Sequence, residues 1–336
     1  MNIALIGFGA VGQGLTDILA EDPTLPVRIV GVAGRRKGSL YRAEGLAPRA
    51  LLAAAAAGDF GTYPAAPGLQ RGLAVADLIT QGAVDAVVEI TPTDIDTAQP
   101  ALDYCRAALE AGKHLVTANK GPAALAWDEL HTLATARGLG LGIEGTVMSG
   151  TPALRLGAEA LRGMGVTAVR GILNGTSNYI LTQMEAGLAY ADALAEAQRL
   201  GYAETDPTAD VEGHDAAAKV VILANVVLGA ALRPADVALK GITSLTPDDI
   251  AAAAAEGYRW KLIGSVEVGE RGLVARVAPE RLPLDDPLAS VSGANNAVTF
   301  QTRWLGPVTL VGAGAGRRET GAALLADLLH IAERYA

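Results

Sequence analysis

At 336 residues, half of them hydrophobic but with only three Phe and three Trp, the chain holds enough aliphatic material for about two domains. Its net charge of -9, with no basic run, gives no surface suited to nucleic acid or an anionic membrane. The single cysteine, Cys105, excludes an internal disulfide and a cysteine zinc site, and His114, His131, His214 and His330 show no metal-ligand spacing.

The chain opens on an apolar strand over 2–6, which leaves no room for a signal peptide, so a soluble cytoplasmic protein is expected. Alanine runs at 53–57 and 251–255 are helix formers, too short and too closely flanked by charge to span a membrane. After the first strand come Gly7, Phe8, Gly9, Ala10, Val11 and Gly12, then a helical pattern to 19. A GxGxxG directly between strand and helix is the dinucleotide-binding arrangement. Its first glycine makes the turn, the second admits a pyrophosphate, and the third lets helix pack on strand. The second strand, over 27–33, ends in Gly34, Arg35, Arg36 and Lys37. Three cations stand there in place of the carboxylate that would bind a ribose 2′-hydroxyl. They suit a 2′-phosphate, so NADP(H) is expected over NAD(H); a solvated basic turn is the bland alternative.

Helix and strand patterns then alternate: helices over 75–81, 97–111 and 125–137, strands over 83–90, 114–117 and 139–143. That alternation predicts an α/β fold with a doubly wound parallel sheet of Rossmann type. The loops TPTD over 91–94 and ANKG over 118–121 leave the carboxyl edge of this sheet, where a cofactor's reactive end belongs. Thr91 is therefore a cofactor candidate. Lys120, a cation at a helix start where the dipole disfavours it, is a candidate to face a ligand.

The pattern changes at the small-residue stretch 144–152, where a domain boundary is expected. Beyond it, strands are read over 166–173, 260–268, 273–279, 296–301 and 307–310, with a turn at 270–272 and helices over 176–186 and 190–200. This is an α+β second domain. A glycine-rich turn ending at Gly316 precedes a helix over 322–332, which is expected to rejoin the nucleotide domain.

One stretch of the second domain concentrates charge. Glu204, Asp206, Asp210, Glu212 and Asp215 precede Lys219, with Asp206-Pro207 and Glu212-Gly213 reading as turns, so the acids up to Glu212 are expected on a loop. From Asp215 the sequence is helical, which sets Asp215 and Lys219 at i and i+4 on one face. A solvated loop and surface ion pair would be the ordinary reading. The helix beyond Lys219, however, is apolar almost all round, so its one lysine is buried and needs a reason. A lysine held by an aspartate can pass a proton to a developing alkoxide.

With these residues together, the chain resembles the homoserine dehydrogenase family. The resemblance rests on Gly7, Gly9 and Gly12, TANKGP over 117–122, NGTSNY over 174–179, GYAETDP over 201–207 with Asp210, and Gly213 with Asp215 and Lys219. It spans nearly the whole chain and is most specific over 201–219. It implies NAD(P)-dependent interconversion of L-homoserine and L-aspartate 4-semialdehyde, on the route to threonine, methionine and isoleucine. It further implies Lys219 as proton donor and acceptor, and Lys120 as a second lysine at the reacting oxygen that also touches the nicotinamide. Glu204 would bind the substrate ammonium, Asp210 and Asp215 would bind substrate or orient the lysines, and Gly175, Thr176 and Tyr202 would line the pocket. Glu144, with the carbonyls of Val147, Ser149 and Thr151, would hold a monovalent cation, usually sodium. A homodimer is implied, with a nucleotide domain over 1–143 and 312–336, a dimerisation region over 144–151 and about 281–311, and a catalytic region over 152–280. Many members carry a C-terminal ACT domain or an aspartokinase; this sequence ends at Ala336 with neither, so feedback through such a domain is not expected. Two other readings stand beside this one: another Rossmann oxidoreductase of an amino-acid-derived carbonyl, and a non-catalytic NADP(H) sensor.

Overall fold

The computed structural model describes residues 1–269 and 272–335. The chain divides into two compact units, Met1–Gly150 with Gly316–Ala336, and Thr151–Ala315.

The first unit is built on seven strands: β1 (Asn2–Ile6), β2 (Arg28–Gly34), β3 (Gly38–Tyr41), β4 (Gln70–Arg71), β5 (Ala86–Glu89), β6 (His114–Thr117) and β7 (Leu141–Gly142). They lie in the order β4-β3-β2-β1-β5-β6-β7. From β2 to β7 the pairings are parallel. The side-chain alternation of β1 explains why its run is apolar throughout. Ile3 and Leu5 join a core with Leu15, Leu324 and Leu328. Ala4 and Ile6 point the other way, into a core with Leu102, Leu109 and Leu130. A sheet buried on both faces is the doubly wound arrangement.

Three features depart from expectation. The chain turns back after β2 through Arg35, Arg36 and Lys37, so β3 pairs with it antiparallel and β4 adds beyond. The helix expected over 125–137 is two helices, Lys120–Leu125 and Trp127–Ala136, separated at Ala126. The closing helix also begins earlier than its apolar pattern, spanning Arg317–Arg334. Its first turn is polar because Arg317 pairs with Asp17 and Arg318 with Glu21 on the helix Ala10–Glu21. The two helices touch closely: a Cβ on Gly14 would lie 2.0 Å from the Arg317 carbonyl oxygen, and one on Gly321 2.5 Å from the Leu15 nitrogen.

The second unit carries β8 (Val166–Ile172), β9 (Ala238–Leu239), β10 (Tyr258–Gly269), β11 (Gly272–Pro283), β12 (Asn295–Thr302) and β13 (Gly306–Ala313). Their order is β13-β12-β8-β10-β11-β9, antiparallel except for the short β9 beside β11. The turn read at 270–272 falls, for residues 270 and 271, outside the described residues. β13 continues to Ala313, so the glycine-rich tail starts as a strand of this sheet. Ile172, Ile263, Leu282, Val291 and Ala297 form one of its cores. Among the described residues, three helices of this unit carry candidate residues: Gly175–Glu185 directly after β8, the short Thr208–Val211, and His214–Val227.

Candidate active site

In the second unit the charged stretch is sorted by its hydrogen bonds. Asp206 accepts from the backbone and hydroxyl of Thr208, and Glu212 accepts from the Thr243 hydroxyl at 2.8 Å. Asp210 does not lie on an irregular loop; it belongs to a helical turn, Thr208–Val211, that closes against Gly213. Gly213 has φ +87, and a Cβ there would meet Val277 at 2.9 Å, so only glycine makes this entry into the helix His214–Val227.

Lys219, 7% exposed, lies one turn into that helix with every residue from Ala216 to Asn225 buried. Its Nζ donates to the Leu173 carbonyl at 2.6 Å and to Asp215 Oδ2 at 2.7 Å. An ammonium has three N–H donors, so these two bonds orient the group and leave one hydrogen for a further acceptor. The organiser of the cluster is Asn174, which the sequence places in a motif without showing its role. Its Oδ1 caps the helix Gly175–Glu185 by accepting from the Ser177 backbone at 2.8 Å. Its Nδ2 donates to Asp210 Oδ1 at 2.7 Å and to Asp215 Oδ2 at 2.9 Å. One amide thereby holds two carboxylates that would otherwise repel. Burial pushes the Asp210 carboxyl above its ordinary range, the Asn174 hydrogen bond opposes that, and the charge of Asp215 adds to it. Thr176 donates to the Tyr202 carbonyl at 2.7 Å, and the Tyr179 and Tyr202 rings lie 5.0 Å apart. A Cβ on Gly175 would lie 2.6 Å from the Ala294 carbonyl oxygen. Glu204 stands exposed, engaged through its backbone carbonyl by Gln198.

In the first unit the glycine turn has the form a dinucleotide needs. Gly7 has φ +105, and a Cβ on it would lie 2.4 Å from the Ile90 carbonyl oxygen; one on Gly12 would meet the Ile90 side chain at 2.9 Å. Above Gly9 nothing lies within 4 Å, and the helix it opens has no side-chain cap. This is a turn shaped to bring backbone N–H groups against an anion, so the cradle fits a nicotinamide dinucleotide. Phe8 is buried and meets Phe60 edge-on, with Ala10 exposed and Val11 half-buried at the helix start. Arg35 and Arg36 are exposed on the β2–β3 turn, and Lys37 is half-buried beside Gly34.

Thr91 and Lys120 follow β5 and β6. Lys120 opens a helix whose N-cap is Asn119, which accepts from the Gly121 backbone at 3.1 Å. Glu144 is 4% exposed, in the short helical stretch Glu144–Thr146, and its backbone donates to Asp327 at 2.9 Å. Met148 and Ser149, next to Val147, take φ +57 and +54, and the Ser149 hydroxyl bonds that of Thr320 at 2.7 Å. Two consecutive non-glycine residues in the left-handed region mark a loop whose carbonyls are held in unusual directions. Thr151 opens the second unit and donates to the Ala313 carbonyl at 3.1 Å. Gly316, at φ +150, has Glu319 at 2.0 Å from where a Cβ would stand.

A buried carboxylate unforeseen from sequence completes the carboxyl edge. Glu89, fully buried at the end of β5, accepts from the Thr91 backbone at 2.8 Å and from the Thr91 hydroxyl. Its other oxygen accepts from the Thr117 hydroxyl at 3.0 Å. Burial raises its carboxyl above the ordinary range, and these hydrogen bonds pull the other way. The signal in the sequence was a carboxylate directly after the apolar run Ala86-Val87-Val88.

Residues 152–329 match the family model for homoserine dehydrogenase, and residues 7–144 that for the homoserine dehydrogenase NAD-binding domain. The chain belongs to the homoserine dehydrogenase family. An NAD(+)-dependent homoserine dehydrogenase of Pseudomonas canavaninivorans is 46% identical over 338 residues, covering 98% of this chain and 96% of that one. The homoserine dehydrogenase of Methanocaldococcus jannaschii is 39% identical, covering 98% of each. Among solved structures, a homoserine dehydrogenase from Thiobacillus denitrificans matches with TM-score 0.85 and 34% identity, over all of this chain and 75% of that one. A hyperthermophilic archaeal homoserine dehydrogenase mutant in complex with NADPH matches with TM-score 0.84 and 29% identity, over 100% and 98%. Members of the family are oxidoreductases with a nicotinamide-binding domain, and neither a sensor nor another carbonyl dehydrogenase is favoured by these likenesses.

Proposed function

We propose that the chain interconverts L-homoserine and L-aspartate 4-semialdehyde with NAD(P)(H), and that Lys219 is its proton donor and acceptor. The observation that carries this is the Lys219 ammonium, buried and aimed by Asp215 and the Leu173 carbonyl, with one hydrogen left over. When bound, the nicotinamide supplies or takes the hydride at the aldehyde carbon. As charge develops on the aldehyde oxygen, Lys219 delivers its third proton there; in the oxidative direction it takes the proton back from the alcohol. Asp215 and Asn174 fix the ammonium's direction, and Lys120 adds a second positive charge at the oxygen. Glu204 and Asp210 suit the substrate's ammonium group, with Gly175, Thr176 and Tyr202 lining its site.

Gly7 to Gly12, Thr91 and Gly316 are assigned to the dinucleotide. The turn Arg35, Arg36 and Lys37 supports tighter binding of NADPH than NADH, because guanidinium groups pair with a 2′-phosphate. The Pseudomonas relative is named for NAD(+), and this reading is compatible with that name: a tightly gripped NADP(H) that leaves slowly can make turnover faster with NAD. Glu144 with the carbonyls of Val147, Ser149 and Thr151 would hold a sodium-like cation. A cytoplasmic homodimer, with its contact region over 144–151 and about 281–311, completes the reading. Among the described residues no helix is long and apolar enough to cross a membrane.

The test is purified protein mixed with L-aspartate 4-semialdehyde and NADPH, followed at the nicotinamide absorbance. Oxidation that depends on the semialdehyde is expected. No oxidation with either cofactor would overturn the assignment.

A further inference from the structure

Two loops at the carboxyl edge of the first sheet carry candidate residues, Thr91 after β5 and Lys120 after β6. Loops of this kind are ordinarily the mobile part of a fold, since few buried contacts hold them. Here they are fastened to one another from below. Glu89 sits between them, fully buried, with one carboxylate oxygen on the Thr91 backbone and hydroxyl and the other on the Thr117 hydroxyl. The Thr117 hydroxyl, while donating to Glu89, accepts from the Asn119 backbone at 2.9 Å. Asn119, 2% exposed, donates through Nδ2 to the Thr91 carbonyl at 3.2 Å and caps the Lys120 helix through Oδ1. The bonds form a closed ring from Glu89 to Thr91, Asn119 and Thr117 and back to Glu89. Gly121 fits the same place tightly, with the Asp94 carbonyl oxygen 2.4 Å from where its Cβ would stand.

An ionisable side chain is a costly way to make a structural tie in a strand core, where an apolar residue would pack without desolvation. A carboxylate does what an apolar side chain cannot: it accepts several hydrogen bonds at once, in fixed directions. We propose that Glu89 is a positioning residue, which sets the register between the Thr91 loop and the Asn119–Lys120 turn and so fixes where Lys120 stands relative to the bound nicotinamide. This rests on the reading of Lys120 as the second lysine at the reacting oxygen.

Three variants test it. Glu89→Gln keeps one acceptor oxygen and turns the other position into a donor, which faces a hydroxyl already committed. Thr117→Val removes the hydroxyl while keeping the β-branched shape that suits a strand, so it remains informative should a change at Glu89 harm folding. Lys120→Ala is measured beside them. Displacement of a catalytic group by about an ångström costs up to ~100-fold, so each of the first two is expected to lower kcat by about ten-fold or more. KM for the semialdehyde should move less than two-fold, and the double variant should lose about what the larger single does, because both break one ring. Rates are taken per bound cofactor, so that a loss of folded protein alone does not register. Wild-type kcat in folded Glu89→Gln and Thr117→Val, with Lys120→Ala impaired, would overturn the positioning role and leave Lys120 standing. Wild-type kcat in Lys120→Ala would remove the Lys120 reading itself, and this inference with it.

Discussion

The glycine turn after β1 and the acid-rich stretch before the helix His214–Val227 are both candidate ligand surfaces, built by opposite means. The turn works by the absence of side chains. Gly7 and Gly12 fit against Ile90 where no Cβ could, and Gly9 faces open space. The acid-rich stretch works by pairing. Of its five carboxylates, Asp210 and Asp215 meet at the amide of Asn174, which lies 36 and 41 residues earlier in the chain. A surface made by omission is fixed by local sequence. A surface made by pairing depends on what the fold brings from elsewhere.

The strongest test of the paired surface is Lys219→Ala. General acid catalysis contributes about 10²–10⁴-fold, so turnover should fall by that much while NADP(H) affinity stays as in the parent. Activity within a few-fold of the parent would end the case for Lys219. Next in size is the coenzyme preference. A charge-assisted hydrogen bond contributes ~1.5–3 kcal/mol, so Arg35→Gln with Arg36→Gln should weaken NADPH by about ten-fold or more and leave NADH nearly unchanged. Equilibrium titration of both cofactors reads this directly, and equal dissociation constants in the unaltered protein would refute the preference.

The omission surface is sharpened by two alanines. Gly7→Ala forces a left-handed conformation and a clash with Ile90, and should cost about 1–3 kcal/mol of stability in urea unfolding. Gly9→Ala has room and an extended φ of -86, so stability should stay within ~1 kcal/mol while dinucleotide affinity falls. Unchanged affinity in Gly9→Ala would mean that no ligand approaches there. The smallest effect is in pH. Burial raises the Asp210 carboxyl above its ordinary 3.8, so the native state binds that proton more tightly than the unfolded chain and loses stability as pH rises from 3.8 through the raised value. Asparagine does not titrate. The stability of Asp210→Asn relative to the parent should therefore be greater at pH 7 than at pH 4, and a difference that is flat or of the other sign would contradict the burial of that charge.

Much of the first unit was legible because strand, glycine turn and helix follow one another within twenty residues and each has its own period. The edge strands β3 and β4 were not, since four and two residues carry no period, and the hairpin is made by a turn that also reads as a basic patch. The pair Asp215 and Lys219 was legible from helix geometry alone. Asn174 was legible only as part of a motif: that it caps the helix with one end of its amide and holds two carboxylates with the other depends on partners that the tertiary fold supplies. Glu89 was hidden for the same reason, with its Thr117 partner 28 residues away on the neighbouring strand.

The close approach of Gly14 to Arg317 has a consequence for how the chain is made. The second unit is one continuous stretch, Thr151–Ala315, and can complete its sheet as soon as it leaves the ribosome. The first unit begins earlier in synthesis yet lacks Leu324, Leu328 and Ile331 from its core until the closing helix emerges. Translation order and completion order are therefore reversed: the part made first must wait, one face of its sheet only partly covered, until the helix Arg317–Arg334 is made.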